Sequence, residues 1–467
     1  MSYYDNLTAF AGNIAALGDD GSSITYRELV EFGSEISVAT GRRCLVFSLC
    51  QNSIGALAGY VSFLNNRIVP LLLDAELDRG LLDNLLDAYK PKYLWIPVGK
   101  TSELSGKKVV FEKRGYALLE TRYQNQYAIN DDLALLLTTS GSTGSPKLVR
   151  QTYKNIQANA CAITQYLEIN QNERPITTLP MNYTYGLSII NSHLLMGATI
   201  LLTSKTLMEK GFWQFFKEQK ATSMAGVPYT YEMLKRLQYF KMDLPSIKTM
   251  TQAGGKLTPE LTREFAEYAE KKGVRFFVMY GQTEATARMS CLSPEYALAK
   301  CGSIGLPIPG GEFYLIDDDG NTIHALETVG ELVYKGPNVT MGYAERGEDL
   351  AKGGEWGGVL VTGDMAKRDG DGFYYITGRK KRFIKLYGNR VNLDEAERLL
   401  KAVIPDCACA GCDDHMKIFI TSPGREKEIR QFISNKTGIN PLAFEVVFIA
   451  EIPKNEAGKT IYTKLDG

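Results

Sequence analysis

Apolar runs and helix-length stretches alternate along the first 130 residues of the chain. Residues 43–49, 67–73 and 92–96 have the length and composition of buried strands, and residues 54–64 have those of a helix rich in small residues. Strands that alternate with helices in this way form parallel-rich sheets whose faces the helices cover. The pattern therefore predicts an α/β fold for the N-terminal part of the chain.

Two helices carry clear boundary signals in the sequence. Thr25 is suited to cap one helix, and Thr258 followed by Pro259 begins another that Gly273 ends. An apolar strand over residues 274–280 comes next and leads into a sharp turn. Because ligands of open α/β sheets bind beyond the carboxyl ends of the strands, this turn is placed where a binding site is expected.

The C-terminal third of the chain has a different pattern. From Cys301 onward short strands and turns predict a β-rich subdomain. Asn392 is suited to cap a helix, residues 407–412 and 417–421 are predicted to form the strands of a hairpin, and residues 426–437 form a further helix. We therefore predict a large multi-layer N-terminal region followed by a small α+β C-terminal lid domain.

Length and charge support this organisation. A chain of 467 residues is too long for one hydrophobic core, and we place the boundary between an N-terminal domain of residues 1–380 and a lid of residues 381–467. With 53 basic and 53 acidic residues the formal net charge is zero, so neither nucleic acid nor an anionic membrane surface is favoured as a partner. The start has no signal-peptide pattern, and residues 186–202 are too short and too polar for a membrane span. The sequence therefore predicts a cytoplasmic protein.

The cysteines and histidines exclude several classes of enzyme. Eight cysteines scattered over the chain fit reduced thiols better than a disulfide framework. The three cysteines within residues 407–412 could belong to a metal site, but small residues in a buried strand are the favoured interpretation. The sequence has three histidines and neither G-x-S-x-G nor H-E-x-x-H, which disfavours hydrolases and zinc proteases.

A phosphate-binding loop follows the apolar run that begins at Leu133. Glycines let backbone N–H groups approach an anion, hydroxyl groups donate further hydrogen bonds, and Lys147 supplies a compact positive charge. The loop is not a Walker A motif, because Pro146 and Leu148 stand where that motif needs glycine and a hydroxyl. The residues predicted to hold phosphate are Thr139, Ser140, Gly141, Ser142, Thr143, Gly144 and Lys147.

The turn after residues 274–280 carries groups suited to a nucleotide and a metal ion. Tyr280 can stack on a purine, Thr283 can donate to a phosphate, and Glu284 is a hard oxygen ligand for Mg²⁺. Upstream, residues 253–255 (Ala-Gly-Gly) allow a flat group to lie against the backbone. Further along the chain, the carboxylate of Asp364 can accept from both ribose hydroxyls, and Arg379 can reach ribose or phosphate.

Four motifs in this order resemble the adenylate-forming superfamily, which contains acyl-CoA synthetases, nonribosomal-peptide adenylation domains and firefly luciferase. The resemblance covers about residues 24–461. The motifs are Thr139-Ser-Gly-Ser-Thr-Gly-Ser-Pro-Lys147, Tyr280-Gly-Gln-Thr-Glu284, Thr362-Gly-Asp364 with Gly378-Arg379, and the terminal Gly458-Lys459.

The resemblance implies a role for each of these positions. It implies catalytic roles for Lys459, Glu284, Thr283 and Lys147, with Glu284 as the metal ligand. It implies nucleotide contacts from the phosphate loop and from Gly254, Gly255, Tyr280, Gly281, Asp364, Arg379 and Arg390. It implies an acid pocket at Tyr183, Tyr185, Tyr229 and Ala253, a hinge at Lys381, and a thiol path past Gly388.

The implied activity is that of an AMP-forming acid–thiol ligase. Such an enzyme couples an organic carboxylic acid to AMP with MgATP and transfers the acyl group to CoA, so ATP, Mg²⁺ and CoA are the expected cofactors. Residues 181–187 hold no carboxylate that could bind an α-amine, which favours a plain organic acid as substrate. Two alternatives remain: an adenylating enzyme that loads an acyl carrier protein, and a catalytically silent nucleotide- or acyl-binding homologue. Family departures at Leu148, Tyr153, Tyr183 and Arg382 favour the silent homologue.

Overall fold

The computed structural model describes residues 5–41, 43–104, 107–123, 127–138, 147–386, 389–412, 414–454 and 460–465. The chain divides into two compact units. The first comprises residues 1–301, 307–312 and 335–360, and the second comprises residues 302–306, 313–334 and 361–467.

The strands of the described residues are β1 (Ile14–Gly18), β2 (Ser23–Thr25), β3 (Leu45–Cys50), β4 (Val69–Asp74), β5 (Tyr93–Pro97), β6 (Lys108–Lys113), β7 (Tyr116–Glu120), β8 (Leu133–Thr138), β9 (Leu148–Thr152), β10 (Pro175–Ile176), β11 (Ile200–Leu202), β12 (Ser223–Gly226), β13 (Thr249–Gln252), β14 (Arg275–Tyr280), β15 (Ser290–Leu292), β16 (Leu306–Pro307), β17 (Glu312–Ile316), β18 (Thr322–Ile323), β19 (Gly330–Lys335), β20 (Tyr343–Ala344), β21 (Val359–Arg368), β22 (Tyr374–Arg379), β23 (Phe383–Leu386), β24 (Asn389–Asn392), β25 (Cys407–Cys412), β26 (His415–Ile420) and β27 (Phe444–Phe448). The α-helices are α1 (Tyr26–Thr40), α2 (Ile54–Asn65), α3 (Arg79–Tyr89), α4 (Tyr153–Leu167), α5 (Thr184–Leu195), α6 (Lys210–Glu218), α7 (Pro228–Arg236), α8 (Pro259–Lys272), α9 (Leu393–Lys401) and α10 (Glu426–Thr437).

One sheet of the first unit has the strand order β20-β9-β8-β4-β3-β5-β7-β6. Strand β3 pairs in parallel with both β4 and β5, and β4 pairs in parallel with β8. The three strands and the helix predicted within the first 130 residues correspond to β3, β4, β5 and α2, with ends shifted by one or two residues. The predicted α/β fold with parallel-rich sheets is confirmed.

The second sheet of the first unit contains β15, β14, β13, β12, β10, β11, β1 and β2 in that order. Strands β12, β13 and β14 are parallel neighbours, with Gln252 opposite Val278, so the segments that follow β13 and β14 leave the same edge of the sheet. Helix α8 lies between these strands in sequence and has the predicted ends: the Thr258 hydroxyl accepts from Leu261 N at 3.2 Å, and Gly273 adopts φ +68°.

A continuous apolar core joins the two sheets of the first unit. It includes Trp95 of β5, Tyr60 of α2, Ile190 of α5 and Ile200 of β11, all buried. The Tyr60 hydroxyl donates to Asn191 Oδ1 at 2.9 Å, so this polar atom is satisfied inside the core. Helices α2, α4 and α5 therefore have fixed positions between the sheets, and α5 carries the predicted pocket residue Tyr185, with Tyr183 at its N-cap.

The second unit holds a five-stranded sheet of order β18-β17-β19-β21-β22 and a three-stranded sheet of order β25-β26-β27. Strands β21 and β22 form an antiparallel hairpin. The predicted helix at residues 426–437 and the predicted strand at residues 407–412 have the bounds of α10 and β25. These elements confirm the β-rich subdomain and the small α+β C-terminal part, whereas the boundary between residues 380 and 381 stays a prediction.

Cys407 and Cys409 are buried in β25, as the strand interpretation predicts. Burial raises the pKa of the Cys407 thiol to about 12. Within the part of the chain that the structure describes, no group of three or more His, Cys, Asp and Glu side chains could hold a metal ion. None of the described helices has both the length and the apolar character to cross a bilayer.

Candidate active site

The turn at the end of β14 has room for glycine alone at Gly281. A Cβ atom there would overlap the carbonyl group of Ala287, and the backbone closes tightly because Met289 N donates to Tyr280 O at 2.8 Å. Residues 283–285 form one turn of 3-10 helix. Gly281, which lies between Tyr280 and Glu284 in sequence, therefore cannot be replaced by a larger residue without a shift of the backbone.

Thr286 closes this turn in a strained conformation. Its φ of 66° and ψ of −55°, with Ala287 N donating to Ala285 O at 2.7 Å, define a γ-turn with positive φ, which is rare for a β-branched residue. The Thr286 hydroxyl donates to Asn338 O at 2.7 Å, and Asn338 Nδ2 donates back to Ala285 O at 2.9 Å. Surrounding contacts hold the strain in place, as is common at functional sites.

Tyr343 contacts Glu284 through its hydroxyl group and Lys147 through its ring. The Tyr343 hydroxyl donates to Glu284 Oε1 at 2.8 Å, and Lys147 Nζ lies 3.7 Å from the centroid of the Tyr343 ring. Strand pairing brings them together, because Tyr343 of β20 is opposite Val149 of β9 and Lys147 directly precedes β9. Burial, followed by the charge of Glu284, raises the pKa of Tyr343, so its hydroxyl stays a donor. Sequence reasoning did not identify Tyr343 as a site residue.

The predicted acid pocket is partly assembled around Gly254. This glycine has φ +81°, and a Cβ atom on it would lie 2.7 Å from the Tyr183 hydroxyl. The rings of Tyr183 and Tyr185 are 6.5 Å apart in an edge-on arrangement, and both belong to the apolar cluster that contains Ala253. Burial raises the pKa of Tyr183 to about 12. Tyr229 lies on the first turn of α7 and is 52% exposed.

The predicted ribose contacts lie together in the second unit. Asp364 of β21 is opposite Arg379 of β22, and Arg379 Nε forms an ion pair with Asp364 Oδ1 at 2.7 Å. Asp364 is 3% exposed, and its backbone N–H donates to the Thr362 hydroxyl at 3.1 Å. The Thr362 hydroxyl in turn donates to Leu332 O at 2.7 Å, which fixes the Thr-Gly-Asp motif on its sheet.

Arg382, where family members often have an acid, is the centre of an ionic cluster. Its guanidinium forms ion pairs with Asp394 and Glu397, each at 2.5 Å, and lies 3.7 Å from the ring centroid of Tyr462. The Tyr462 hydroxyl donates to Glu397 Oε2 at 3.0 Å. The position predicted to border the hinge is thus bound to α9 and to the C-terminal tail. This arrangement gives the departure at Arg382 a structural reason.

Several predicted site residues lie outside the described residues. They are Thr139, Ser140, Gly141, Ser142, Thr143, Gly144, Gly388 and Lys459, together with the side chains of Lys381 and Arg390. Their roles stay predictions.

The donor groups of the described site fit a magnesium ion that arrives with a nucleotide. Mg²⁺ usually binds one or two carboxylates and completes its octahedron with water and phosphate oxygens. Glu284 offers one carboxylate that already accepts a hydrogen bond from Tyr343, and Lys147, over the ring of the same tyrosine, is a cation suited to phosphate. At Gly254 and Gly281 the space that a side chain would need is taken by Tyr183 and by the Ala287 carbonyl, so both glycines serve close packing of the backbone.

Comparison with known proteins identifies the family. The family of AMP-binding enzymes matches residues 5–344, and the chain belongs to it. A 2-succinylbenzoate–CoA ligase from Geobacillus is 28% identical over 73% of this chain and 70% of its own length. A 4-coumarate–CoA ligase-like protein from Arabidopsis thaliana is 30% identical over 72% of this chain and 61% of its own length. The predicted reaction class is confirmed: the chain is an AMP-forming acid–thiol ligase, a class that uses ATP, Mg²⁺ and CoA.

Solved structures confirm the fold. The o-succinylbenzoate CoA synthetase of Bacillus subtilis, solved with its acyl-adenylate, is similar over 100% of this chain and 98% of its own, with a TM-score of 0.80 and 22% identity. The same protein solved with ATP and magnesium ion gives a TM-score of 0.79. CoA, and not an acyl carrier protein, is the acceptor that the names of these relatives give.

Proposed function

We propose that this enzyme activates a small organic carboxylic acid with MgATP and transfers the acyl group to CoA in the cytoplasm. A carboxylate is a poor electrophile, because oxide is a bad leaving group at neutral pH. Coupling to AMP with loss of pyrophosphate supplies a good leaving group, which the CoA thiol then displaces. The observation that carries the proposal is the placement of Lys147 and Glu284 around one tyrosine, at the turn that bears Tyr280.

The first step must bring a carboxylate up to the anionic α-phosphate. Fixed positive charge overcomes this repulsion without reorganisation during the reaction. Lys147 is suited to bind the β- and γ-phosphates, and Glu284 to hold the Mg²⁺ ion, which would neutralise phosphate charge. Tyr280 is suited to stack on adenine and Thr283 to donate to a phosphate.

The second unit offers further groups suited to a nucleotide. Asp364 is suited to accept from the ribose hydroxyls and Arg379 to bind ribose or phosphate, with Arg390 as a further nucleotide contact. Lys459 would act as a charge between the substrate carboxylate and the α-phosphate, where one such donor contributes about 3 kcal/mol to barrier lowering.

The second step requires a thiol to reach the acyl carbon from another direction. We infer that the lid of residues 381–467 rotates at Lys381, which withdraws Lys459 and brings Gly388 to the thiol path. Lys459→Ala is then expected to abolish adenylation while thioester formation from synthetic acyl-adenylate survives. Lys454→Ala is a matched control in the same tail, since Lys454 pairs with Asp406 at 3.6 Å. Equal loss of both half-reactions in Lys459→Ala would contradict the two-state lid.

The acid pocket favours a substrate with apolar or aromatic character next to its reacting carboxylate. The Tyr183 hydroxyl lies close to Gly254, the rings of Tyr183 and Tyr185 pack edge-on, and Ala253 belongs to the same apolar cluster. Tyr229 remains a proposed pocket residue at the exposed end of α7.

Acid-dependent exchange between ATP and labelled pyrophosphate tests the proposal. Exchange with any acid would exclude a silent homologue, and added CoA should then divert the product to a thioester. Glu284→Gln removes the charge of the metal ligand and is expected to lower exchange by about 100-fold or more, on the order of 3 kcal/mol. Glu295→Gln, on a turn of the same unit, is the control and should retain exchange.

A further inference from the structure

We propose that the acid activated by this enzyme carries a second anionic group, a small carboxylate, which the buried guanidinium of Arg288 binds. This inference rests on the proposed ligase function and narrows its substrate class to dicarboxylic acids. Arg288 follows the adenine and metal turn by four positions and was absent from the residues that the sequence motifs indicated.

Arg288 is 2% exposed, and the side chains that contact its guanidinium are neutral. Its Nε donates to the Ser188 hydroxyl at 3.1 Å, and its Nη1 donates to the Tyr166 hydroxyl at 3.1 Å and approaches the Met279 sulfur at 3.2 Å. Its guanidinium also lies 5.1 Å from the ring centroid of Tyr185. Among the described side chains, no carboxylate forms an ion pair with it.

Two other arginines of low exposure among the described residues, Arg150 and Arg382, have a counter-charge. Arg150 is fully buried and pairs with Glu355 at 2.6 Å. Arg382, with 14% of its side chain exposed, pairs with Asp394 and Glu397. Removing a charge from water is costly unless an opposite charge compensates. This contrast between Arg288 and the two paired arginines indicates that a ligand supplies the negative charge for Arg288.

A small cavity adjoins Arg288 between the second sheet and helices α4 and α5. Its volume of about 20 Å³ is bordered by Arg288, His193, Thr251 and Ala225 among others. Such a space holds about one water molecule, so a carboxylate would enter with a small outward shift of the lining. A bulkier anion such as phosphate does not suit the space.

Two further charged residues border the cavity, and each already has partners. Arg275 pairs with Glu168 at 2.9 Å and donates to Thr249 Oγ1 at 2.9 Å. Glu173 accepts a hydrogen bond from the Thr222 hydroxyl. Arg275 thus has a carboxylate partner, whereas no carboxylate among the described side chains pairs with Arg288.

The cavity adjoins the apolar cluster to which three residues of the predicted acid pocket belong. It shares Ile189 and Ala225 with the apolar cluster that contains Tyr183, Tyr185 and Ala253. Tyr185 also contacts Arg288 directly through its ring. An acid whose reacting carboxylate lies near Gly254 could thus direct a second carboxylate past Tyr185 toward Arg288.

Substrate preference tests the inference. Pyrophosphate exchange is measured with malonate, succinate, glutarate, adipate and phthalate, each paired with its monomethyl ester. We expect at least one diacid to exceed its ester by about 100-fold in kcat/KM, because the ester leaves the buried guanidinium uncompensated. In Arg288→Met this ratio should fall to near one, and Arg288→Lys should retain part of it.

Stability separates a ligand-binding role from a structural one. Without substrate, Arg288→Met should unfold at a urea midpoint no lower than wild type, because it removes an uncompensated buried charge. Arg150→Met, the matched control, should unfold at a clearly lower midpoint. An equal loss in both variants would overturn the inference and make Arg288 a structural residue.

The failure of this inference is distinguishable from that of the ligase function. Exchange with the monoesters and not with the diacids, or a preference that survives in Arg288→Met, overturns the role of Arg288 and leaves the ligase function intact. Exchange with no acid of either kind counts against both.

Discussion

Lys147 Nζ lies 3.7 Å from the ring centroid of Tyr343, and the hydroxyl of that same tyrosine donates to Glu284 at 2.8 Å. One side chain therefore positions a cation suited to phosphate and a carboxylate suited to Mg²⁺. The ring of Trp356 packs edge-on against Tyr343 at 5.0 Å and supports it from the side. Tyr343 acts through the two charged residues, so we regard it as a positioning residue.

Substitution of Tyr343 separates its two contacts. Tyr343→Phe keeps the ring beneath Lys147 and removes the hydrogen bond to Glu284, which is a loss of about 1.5–3 kcal/mol for a charged acceptor. We expect kcat/KM for ATP to fall by roughly 10- to 100-fold and the apparent Kd for Mg²⁺ to rise. Tyr343→Leu also removes the cation–π contact and should add a further loss of about 1 kcal/mol.

Tyr375→Phe is the matched control, since it removes a tyrosine–carboxylate hydrogen bond of 3.1 Å to Asp369 at a hairpin of the second unit. It should leave the ATP and Mg²⁺ dependence unchanged. An unaltered Mg²⁺ dependence in Tyr343→Phe would contradict the positioning role.

The ionic cluster around Arg382 gives a prediction for stability. Arg382→Met removes the ion pairs that Arg382 forms with Asp394 and Glu397, and breaking a buried pair in this way costs about 3–5 kcal/mol. Burial already raises the pKa of Glu397, so its charged form depends on Arg382. We expect urea unfolding to show an earlier transition for the second unit, and the double variant Arg382→Met/Glu397→Gln to recover part of the loss.

Arg398→Met provides the comparison for Arg382. Arg398 pairs with Glu395 on the same helix, but 66% of its side chain is exposed. An exposed pair contributes about 0–1 kcal/mol, so this variant should unfold as wild type does. Equal effects of the two substitutions would mean that the Arg382 cluster contributes no more than a surface pair.

Elements with strong local signals were predictable from the sequence. Thr258, Pro259 and Gly273 fix both ends of α8 by hydrogen bonding and backbone preference within a few residues, and the structure has those ends. Strand ends differ by one or two residues from the prediction, as at β3 and β4, because pairing with neighbouring strands decides where a strand stops.

Relationships between distant residues were less predictable. Tyr343 gains its role from the pairing of β20 with β9, which its own short motif does not reveal. In sequence Arg382 belongs to a basic run, and its partners Asp394, Glu397 and Tyr462 come from α9 and the tail. Arg288 carries no motif signal, since its burial depends on how α4 and α5 pack on the sheet.

His193 predicts a pH dependence of stability. Burial, with a smaller contribution from the charge of Arg288, lowers its pKa from 6.5 to about 4, and its Nδ1 lies 2.8 Å from Ile189 O. The unfolded chain takes up a proton below about pH 6.5 while the folded chain does not, so stability falls as the pH drops toward 4. As the pH falls from about 7.5 to 5, His193 should lower the free energy of unfolding, measured with urea, by about 2 kcal/mol. The His193→Gln variant should not show this decrease. His415→Gln is the control: this half-exposed histidine pairs with Glu445, and its variant should keep the wild-type dependence of stability on pH. An unchanged dependence in His193→Gln would show that His193 is not the group responsible.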